Sequence, residues 1–476
     1  MTTCIRNADW IVAWDEAGGT HRYIRNSDLA FTGNVIDYVG PGYTGNCDEE
    51  IDGAGLCVMP GLVNIHSHPT NQPITRGVRE EIGNPRLYGT SLYNRTFLWA
   101  TDGEGAMANA EIAYGELLKC GVTSLVDFSG PMPDRWVSLM AESGLRVFAA
   151  PSFRDALWRV EDDSRLEYDW DEKAGRAAFD RSVALVDEIC THECGRLSGV
   201  IAPAQADTCS ADTLRRSHKL ANEKGLMWQT HAAQTLPEFH EMARRHGKTP
   251  VQWLDEIGVL GPGSTIAHGI FLDSHPWTNW HTNEDRAILA RTGATVAHCP
   301  VVFSRYGHVM QSLGGYMRDG VNMGLGTDTT PHNLIEEMRQ AATLSRVAAG
   351  DMADITTTQV FHAATIGGAR ALRRDDIGRL AAGAKADFVL FDLANPYMRP
   401  VRDPLRSLIH HAADRAVRDV YVDGKKVVED GEVLTLDMDA ALDVLQAKQD
   451  EAEARVPERH PDGLSGRDVS PLVLPE

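Results

Sequence analysis

Six side chains able to ligate a metal or move a proton stand at the ends of apolar runs. The stretch "GLVNIHSHPT" carries His66 and His68; "THAAQ" carries His231, "AHG" His268, "AHCP" His298 and "GTD" Asp328. Residues i and i+2 of a strand point to the same side of a sheet, so His66 and His68 can face one ion. A hydrolytic metal takes nitrogen or oxygen ligands and keeps a position open for water. His66, His68 and His231 offer three nitrogens. Asp328 offers an oxygen and a place for the proton of the attacking water. Such a metal brings the pKa of its water toward ~7. His268 would face the substrate oxygen or the water, where negative charge develops. A lone histidine at a strand end is usually structural. Six such groups at one mouth would be costly to bury without a shared use.

These groups need a scaffold that gathers strand ends. A short β-rich apolar run, a polar loop and a helical stretch recur along the chain. The runs are "CVMPGLVNIH", "GVTSLVDFS", "LRVFAAPSF", "LSGVIAPAQ", "LMWQTHAAQ", "STIAHGIFLD", "ATVAHCPVV" and "VNMGLGTDTT". Between them lie helical stretches such as "GEGAMANAEIAYGELLKC", "PDRWVSLMAESG", "SADTLRRSHKLANEKG" and "NLIEEMRQAATLSRVAAG". Eight strand–helix units predict an α/β fold of the (β/α)8 type, with functional residues at the C-terminal ends of the strands. A doubly wound sheet is the alternative, but no glycine-rich phosphate fingerprint follows the first strand. Residues 1–56 and 386–435 read as short β segments, predicting a small β-sandwich built from both termini. Residues 57–385 form the barrel. Residues 436–476 add a helix with Asp437 near its start and a Pro-rich tail, expected to be extended and either mobile or packed on a neighbouring subunit.

The chain has 476 residues, 43% hydrophobic and 24% charged, ordinary for a soluble enzyme. Neither an 18-residue apolar window nor a basic–apolar leader is present, which predicts a cytoplasmic protein without a membrane partner. A net charge of −21 argues against binding nucleic acid, which needs clustered Lys and Arg. The eight cysteines are scattered and read as reduced thiols. Cys190, His192 and Cys194 could hold a metal, but nothing nearby completes a tetrahedral set. The expected partners are a small-molecule substrate and further copies of the chain, as a homo-oligomer.

In order and spacing, "PGLVNIHSH" with the following Thr75-Arg76-Gly77, "THAAQ", "AHGIFLD", "AHCP", "GLGTD" and the late "HAATIGGARALRRDDIGRLAAGAKADFVLFDL" and "VRDVYVDGKKVVEDG" resemble the amidohydrolase superfamily. The resemblance covers nearly the whole chain. It is to the branch of cytosine, guanine and adenosine-type deaminases and s-triazine hydrolases, which also holds hydrolases of phenylurea and thiocarbamate herbicides. It implies a (β/α)8 barrel flanked by a β-sandwich made from both termini. It also implies a metal held by His66, His68, His231 and Asp328, with His268 beside the attacking water and His298 lining the substrate pocket. No Lys ends the fourth strand, so one divalent metal per subunit is expected. Zn²⁺ suits this set, as do Fe²⁺, Co²⁺ and Mn²⁺.

The chain departs from that branch at one chemically decisive place. The fifth-strand motif there usually reads His-x-x-Glu, and the glutamate carries a proton from water to a ring nitrogen and on to the leaving group. Here the position is Gln234, and a carboxamide cannot titrate. In "PAQADTCS", Ala204 replaces a substrate-contacting His and Asp207 a Tyr. Gln205, Gln234 and His298 are the candidate substrate contacts. Attack on an amide, urea, carbamate or thiocarbamate carbonyl does not require ring protonation, so the first expectation is hydrolysis of such a bond, with His268, Asp328 and Gln234 as working residues. The alternatives are a ring aminohydrolase or dechlorinase of a purine, pyrimidine or triazine, with Asp207 or Glu80 replacing the missing acid, and a catalytically silent assembly protein. Aromatic residues of the first loop (Tyr88, Tyr93, Phe97, Trp99) and of the seventh (Phe303, Tyr306, with Arg305) either line an apolar pocket or pack their loops.

Overall fold

The computed structural model describes residues 1–130, 135–161 and 164–475. Eight parallel strands form the barrel: Leu62–Ser67, Val122–Ser129, Arg146–Phe153, Leu197–Pro203, Met227–Ala232, Ser264–His268, Thr295–His298 and Asn322–Leu325. They neighbour one another in chain order. The first and eighth meet through a parallel bridge, Ser67 to Asp328, with Asp328 N donating to His66 O at 2.9 Å and His68 N to Asp328 O at 2.7 Å. The protein therefore has the (β/α)8 architecture expected. The strands are buried along most of their length, because a parallel sheet is covered on both faces. Val63, Ile65, Val126, Phe128, Phe148, Ala150, Val200 and Ala202 alternate along four strands to fill the interior. The outer faces pack on helices including Gly103–Lys119, Ala211–Lys224 and Leu334–Ala349. Of the helix expected over "PDRWVSLMAESG", Trp136–Glu142 is present, while Pro133 and Asp134 lie outside the described residues.

The stretch expected as one strand, "CVMPGLVNIH", is two. Leu56–Pro60 belongs to the terminal sheet and Leu62–Ser67 to the barrel. The chain turns at Gly61, where a Cβ would collide with the Thr123 side chain. The strands of both termini join in one nine-stranded sheet, which links Thr2–Asp15 and Thr20–Thr32 to Phe388–Asp392 and Val417–Val422 through Leu56–Pro60. It curls so that Phe31 meets Phe388 at 5.4 Å and Phe388 stacks on Tyr421 at 4.5 Å, enclosing a second core.

Two further elements differ from expectation. A hairpin, Ala156–Glu161 with Arg165–Trp170, follows the third barrel strand, and its charged, partly exposed residues gave no apolar signal. The C-terminal helix is present as Met438–Ala454, but the tail is not extended over its length. Val456–Arg459 and Gly466–Val469 form short helices that bury Val456 and Val469 against Trp99 and Ile74 of the same chain. Arg459 Nη1 donates to Leu98 O at 2.8 Å and Ser470 Oγ to Val78 O at 2.8 Å, so the tail holds the long first loop. Glu476 lies outside the described residues.

Candidate metal centre and substrate mouth

The first strand does not alternate simply into its histidines. Its register slips between Asn64 and Ser67 against Leu125 and Asp127, an extra residue that re-aims the strand end. Asn64 fixes this step. Its Oδ1 accepts from His66 N and Thr327 N, each at 3.2 Å, and its Nδ2 donates to Thr327 Oγ1 at 2.8 Å. The eighth strand passes close to His66 because residue 326 is glycine. A Cβ there would lie 2.7 Å from His66 O and 2.8 Å from its Cβ.

The side chains converge as their spacing predicts. His66 Nε2 and His68 Nε2 stand 3.4 and 3.2 Å from Asp328 Oδ1, and His68 Nε2 stands 3.3 Å from His231 Nε2. Ligand atoms of His66, His231, His268 and Asp328 lie within 4.8 Å of one another. The remaining ring nitrogens are anchored. His68 Nδ1 meets Phe128 O at 2.5 Å, His231 Nδ1 meets Ala204 O at 2.6 Å and His66 Nδ1 meets Gln229 Oε1 at 3.1 Å. Gln229 is itself oriented, since its Nε2 donates to Ile65 O at 2.9 Å. A carbonyl oxygen requires an N–H from the ring, so each of these histidines turns a bare Nε2 lone pair into the mouth. Two such lone pairs at 3.3 Å repel unless a cation lies between them. His66 Nε2 is buried without a hydrogen-bond partner. The donor set fits a divalent cation on both counts.

The protonation states agree. Burial holds the imidazoles of His231 and His268 well below the usual range, with neighbouring histidines adding to the effect, and burial also lowers His66. Burial would raise the Asp328 carboxyl, yet the imidazoles of His66, His68 and His268 packed beside it hold it well below the usual range. Neutral imidazoles and an ionised carboxylate are the forms that ligate metal. Ala233, His268 and Asp328 have φ of 54°, 85° and 56°. Left-handed backbone at non-glycine residues costs energy and gathers at functional sites.

His268 is fully buried and neither ring nitrogen has a partner. Its ring lies 5.1 Å from that of His66 and edge-on to Phe303 at 4.6 Å. His298 ends the seventh strand, buried, with its pKa driven down to about 3 by burial and Nδ1 unpartnered. Gln234 is 8% exposed, and its carboxamide makes no hydrogen bond among the described residues. Gln205 is partly spent, because its Oε1 accepts from Thr208 Oγ1 at 2.7 Å. Neither suggested replacement acid occupies the vacated role. Glu80 is exposed. Asp207 Oδ2 accepts from Trp158 Nε1 at 2.9 Å and Tyr168 Oη at 2.7 Å, tying down the hairpin. Of the aromatics, Tyr93, Trp99 and Phe303 are buried packing residues, while Tyr88 and Phe97 are half exposed. Tyr306 Oη bonds to Ser91 Oγ at 2.7 Å, joining the seventh and first loops. Cys190 is exposed and Cys194 half-buried, and no metal-type cluster among the described residues includes either.

Sequence reading missed Gln229 and Glu238. Gln229 lies on the fifth strand two residues before His231, a spacing that places both on one face. "TLPE", Thr235 to Glu238, is a helix-start pattern of the Ser/Thr-x-x-Glu kind.

A model of the amidohydrolase family matches residues 57–427. The chain belongs to the amidohydrolase family. This amidohydrolase is 30% identical over 423 residues to a 5-methylthioadenosine/S-adenosylhomocysteine deaminase of Thermococcus onnurineus, covering 87% of this chain and 92% of that one. It is 28% identical over 439 residues to a 5'-deoxyadenosine deaminase of Methanothermobacter thermautotrophicus, covering 91% and 95%. Among solved structures it resembles an adenosine deaminase from Xanthomonas campestris with bound zinc (TM-score 0.79, 22% identity, 95% and 98% covered). It also resembles an atrazine chlorohydrolase from Arthrobacter aurescens complexed with zinc (TM-score 0.77, 20% identity, 94% and 100% covered). The amidohydrolase is thus a metal-dependent hydrolase acting on carbon–nitrogen bonds. Among the described residues no helix is long and apolar enough to cross a membrane.

Proposed function

We propose that this amidohydrolase cleaves the carbonyl C–N bond of an amide, urea or carbamate, using one zinc ion per subunit held by His66, His68, His231 and Asp328. The observation that carries this reading is Gln234, an unpartnered carboxamide where the resemblance calls for an acid. When bound, the metal supplies Lewis acidity and an acidified water. The chain's own residues do the rest. Asp328, kept ionised, accepts the proton of the attacking water and passes it to the departing nitrogen. His268, neutral and unpartnered, donates to the carbonyl oxygen as charge builds on it. Gln234 orients the substrate by donating or accepting a hydrogen bond, and His298 borders the pocket. Water oxygen joins the carbonyl carbon, the C–N bond breaks, and the amine leaves protonated.

A second reading is hydrolysis at a purine or triazine ring carbon. The relatives' activities support it, and against it stands the lack of a titrating group at Gln234. The two separate in one assay. Zinc-loaded protein is offered 4-nitroacetanilide, N-phenylurea and an N-phenylcarbamate beside adenosine, 5'-methylthioadenosine and a chloro-s-triazine. Arylamine release with no ammonia or chloride from the rings supports the carbonyl reading. Ammonia or chloride from the rings, with no arylamine, overturns it in favour of the second.

A further inference from the structure

The turn after the fifth strand carries the ligand His231 and the unpartnered Gln234, and its backbone is strained at Ala233, with φ of 54°. One side chain holds it. Glu238 Oε1 accepts from Ala233 N at 2.8 Å and Oε2 from Gln234 N at 2.7 Å. Glu238 is 3% exposed and reaches back from the first turn of the helix Leu236–His246. In a usual capping box the acid at this position returns to the N-cap amide. Here the N-cap is Thr235, which accepts from Glu238 N at 3.2 Å, and the carboxyl passes beyond it to the two amides of the strained step. Thr235 Oγ1 is shared with Tyr93 Oη at 2.5 Å, bracing the helix start against the first loop. On the far side, Ala233 O accepts from Ile270 N and Phe271 N, each at 2.9 Å. The peptide before Gln234 is therefore clamped from both sides, while the Gln234 side chain makes no hydrogen bond among the described residues.

We propose that Glu238 is a positioning residue, and that it aims the Gln234 carboxamide at the substrate by holding Ala233 in its left-handed conformation. The inference rests on the reading that Gln234 contacts substrate, whether the scissile carbon belongs to a carbonyl or a ring. Burying a carboxyl is unfavourable, and spending both its oxygens on two adjacent amides makes sense when the direction of the next side chain matters. Burial and the charge of Asp207 push the Glu238 carboxyl up to about 8, so its hold on two N–H donors is fullest on the alkaline side.

The test uses the zinc-loaded full chain at pH 9 with the best-turned-over member of the six-compound panel. Glu238→Gln keeps the volume but sets an N–H₂ group against one amide N–H. Its kcat/KM should fall about tenfold, with zinc content and melting temperature close to wild type. Hydrogen exchange of the peptide spanning Ala233 and Gln234 should quicken. Gln234→Ala should lose a similar factor, and the double variant should be no worse than Gln234→Ala alone, because both act on one contact. Adding Ala233→Gly to Glu238→Gln, which relieves the left-handed strain, should recover part of the loss. Losses that multiply in the double variant, or an unchanged kcat/KM in Glu238→Gln, overturn the positioning role while a damaged Gln234→Ala leaves the substrate contact standing. An undamaged Gln234→Ala removes the contact itself and the positioning role with it.

Discussion

The two sides of the mouth are built on opposite principles. On the metal side, three histidines each give one nitrogen to a fixed acceptor and leave the other bare, and a carboxylate joins them from the eighth strand. On the Gln234 side the backbone is fixed and the side chain is loose. Glu238 and Asp207, the nearby carboxyls, are engaged with amides and with the hairpin. The metal side thus resists variation, since each ligand depends on its own partner. The other side can exchange Glu for Gln without disturbing the ligand set. Difference in chemistry between members of such a fold is expected where side chains are held only through backbone.

Substitutions on the metal side should break the contrast most severely. Asp328→Ala removes both a ligand and the proton acceptor, and kcat/KM should fall by at least ~10³. Steady-state rates with metal content measured alongside check this, and near-native turnover would sink the assignment. Gln229→Leu touches neither ion nor substrate, but it unties His66 Nδ1. Zinc affinity should weaken by ~10–100-fold, read by competition with a chelator, and the metal-free protein should melt a few degrees lower, because Ile65 O and His66 Nδ1 lose their buried partner. Gln234→Glu tests the other side. It restores a titrating group without moving the backbone, so the rate on the native substrate should stay within about tenfold of wild type. A rise of several orders of magnitude would show that proton transfer at this position is what the reaction lacks.

The fold and the gathering of His and Asp side chains at one mouth were legible because both rest on local signals. Eight apolar runs with His or Asp at their ends mark strands and their C-terminal ends together, and each run indeed contributes a barrel strand. The break at Gly61 was hidden because both halves of "CVMPGLVNIH" are equally apolar; only the Thr123 side chain, remote in sequence, forbids a Cβ there. The docked tail was hidden for a similar reason: Val456 and Val469 are isolated among charges, and only the first loop makes them core. Gln229 and Glu238 act through hydrogen bonds to groups that sequence alone does not bring together, such as the ring of His66 from another strand. The i, i+2 argument for His66 and His68 names two rings that the structure does bring together, 4.8 Å apart, although the strand carries a bulge. Asn64 and Gly326 supply the correction that makes the pair converge.

The smallest expected effect concerns stability against pH, and it too separates the sides. His298, with its pKa lowered to about 3, stays neutral in the fold while an unfolded histidine protonates below its ordinary 6.5. The unfolded chain then binds more protons, so stability is full above about 6.5 and is lost as pH falls toward 3. Glu238 is the reverse. Its carboxyl is raised from 4.5 to about 8, so between those values the folded chain holds a proton that the unfolded chain has released. Its contribution is present below about 4.5 and is lost as pH rises toward 8. Urea denaturation of metal-free protein at a series of pH values should therefore show an acid arm flattened by His298→Gln and an alkaline arm flattened by Glu238→Gln, each by roughly 1–3 kcal/mol at the ends of the range. If Glu238→Gln left the alkaline arm unchanged, the carboxyl would already be ionised in the fold near neutrality. Its grip on the Ala233 and Gln234 amides would then be complete at pH 7, and the positioning effect on kcat/KM would no longer strengthen between pH 7 and 9.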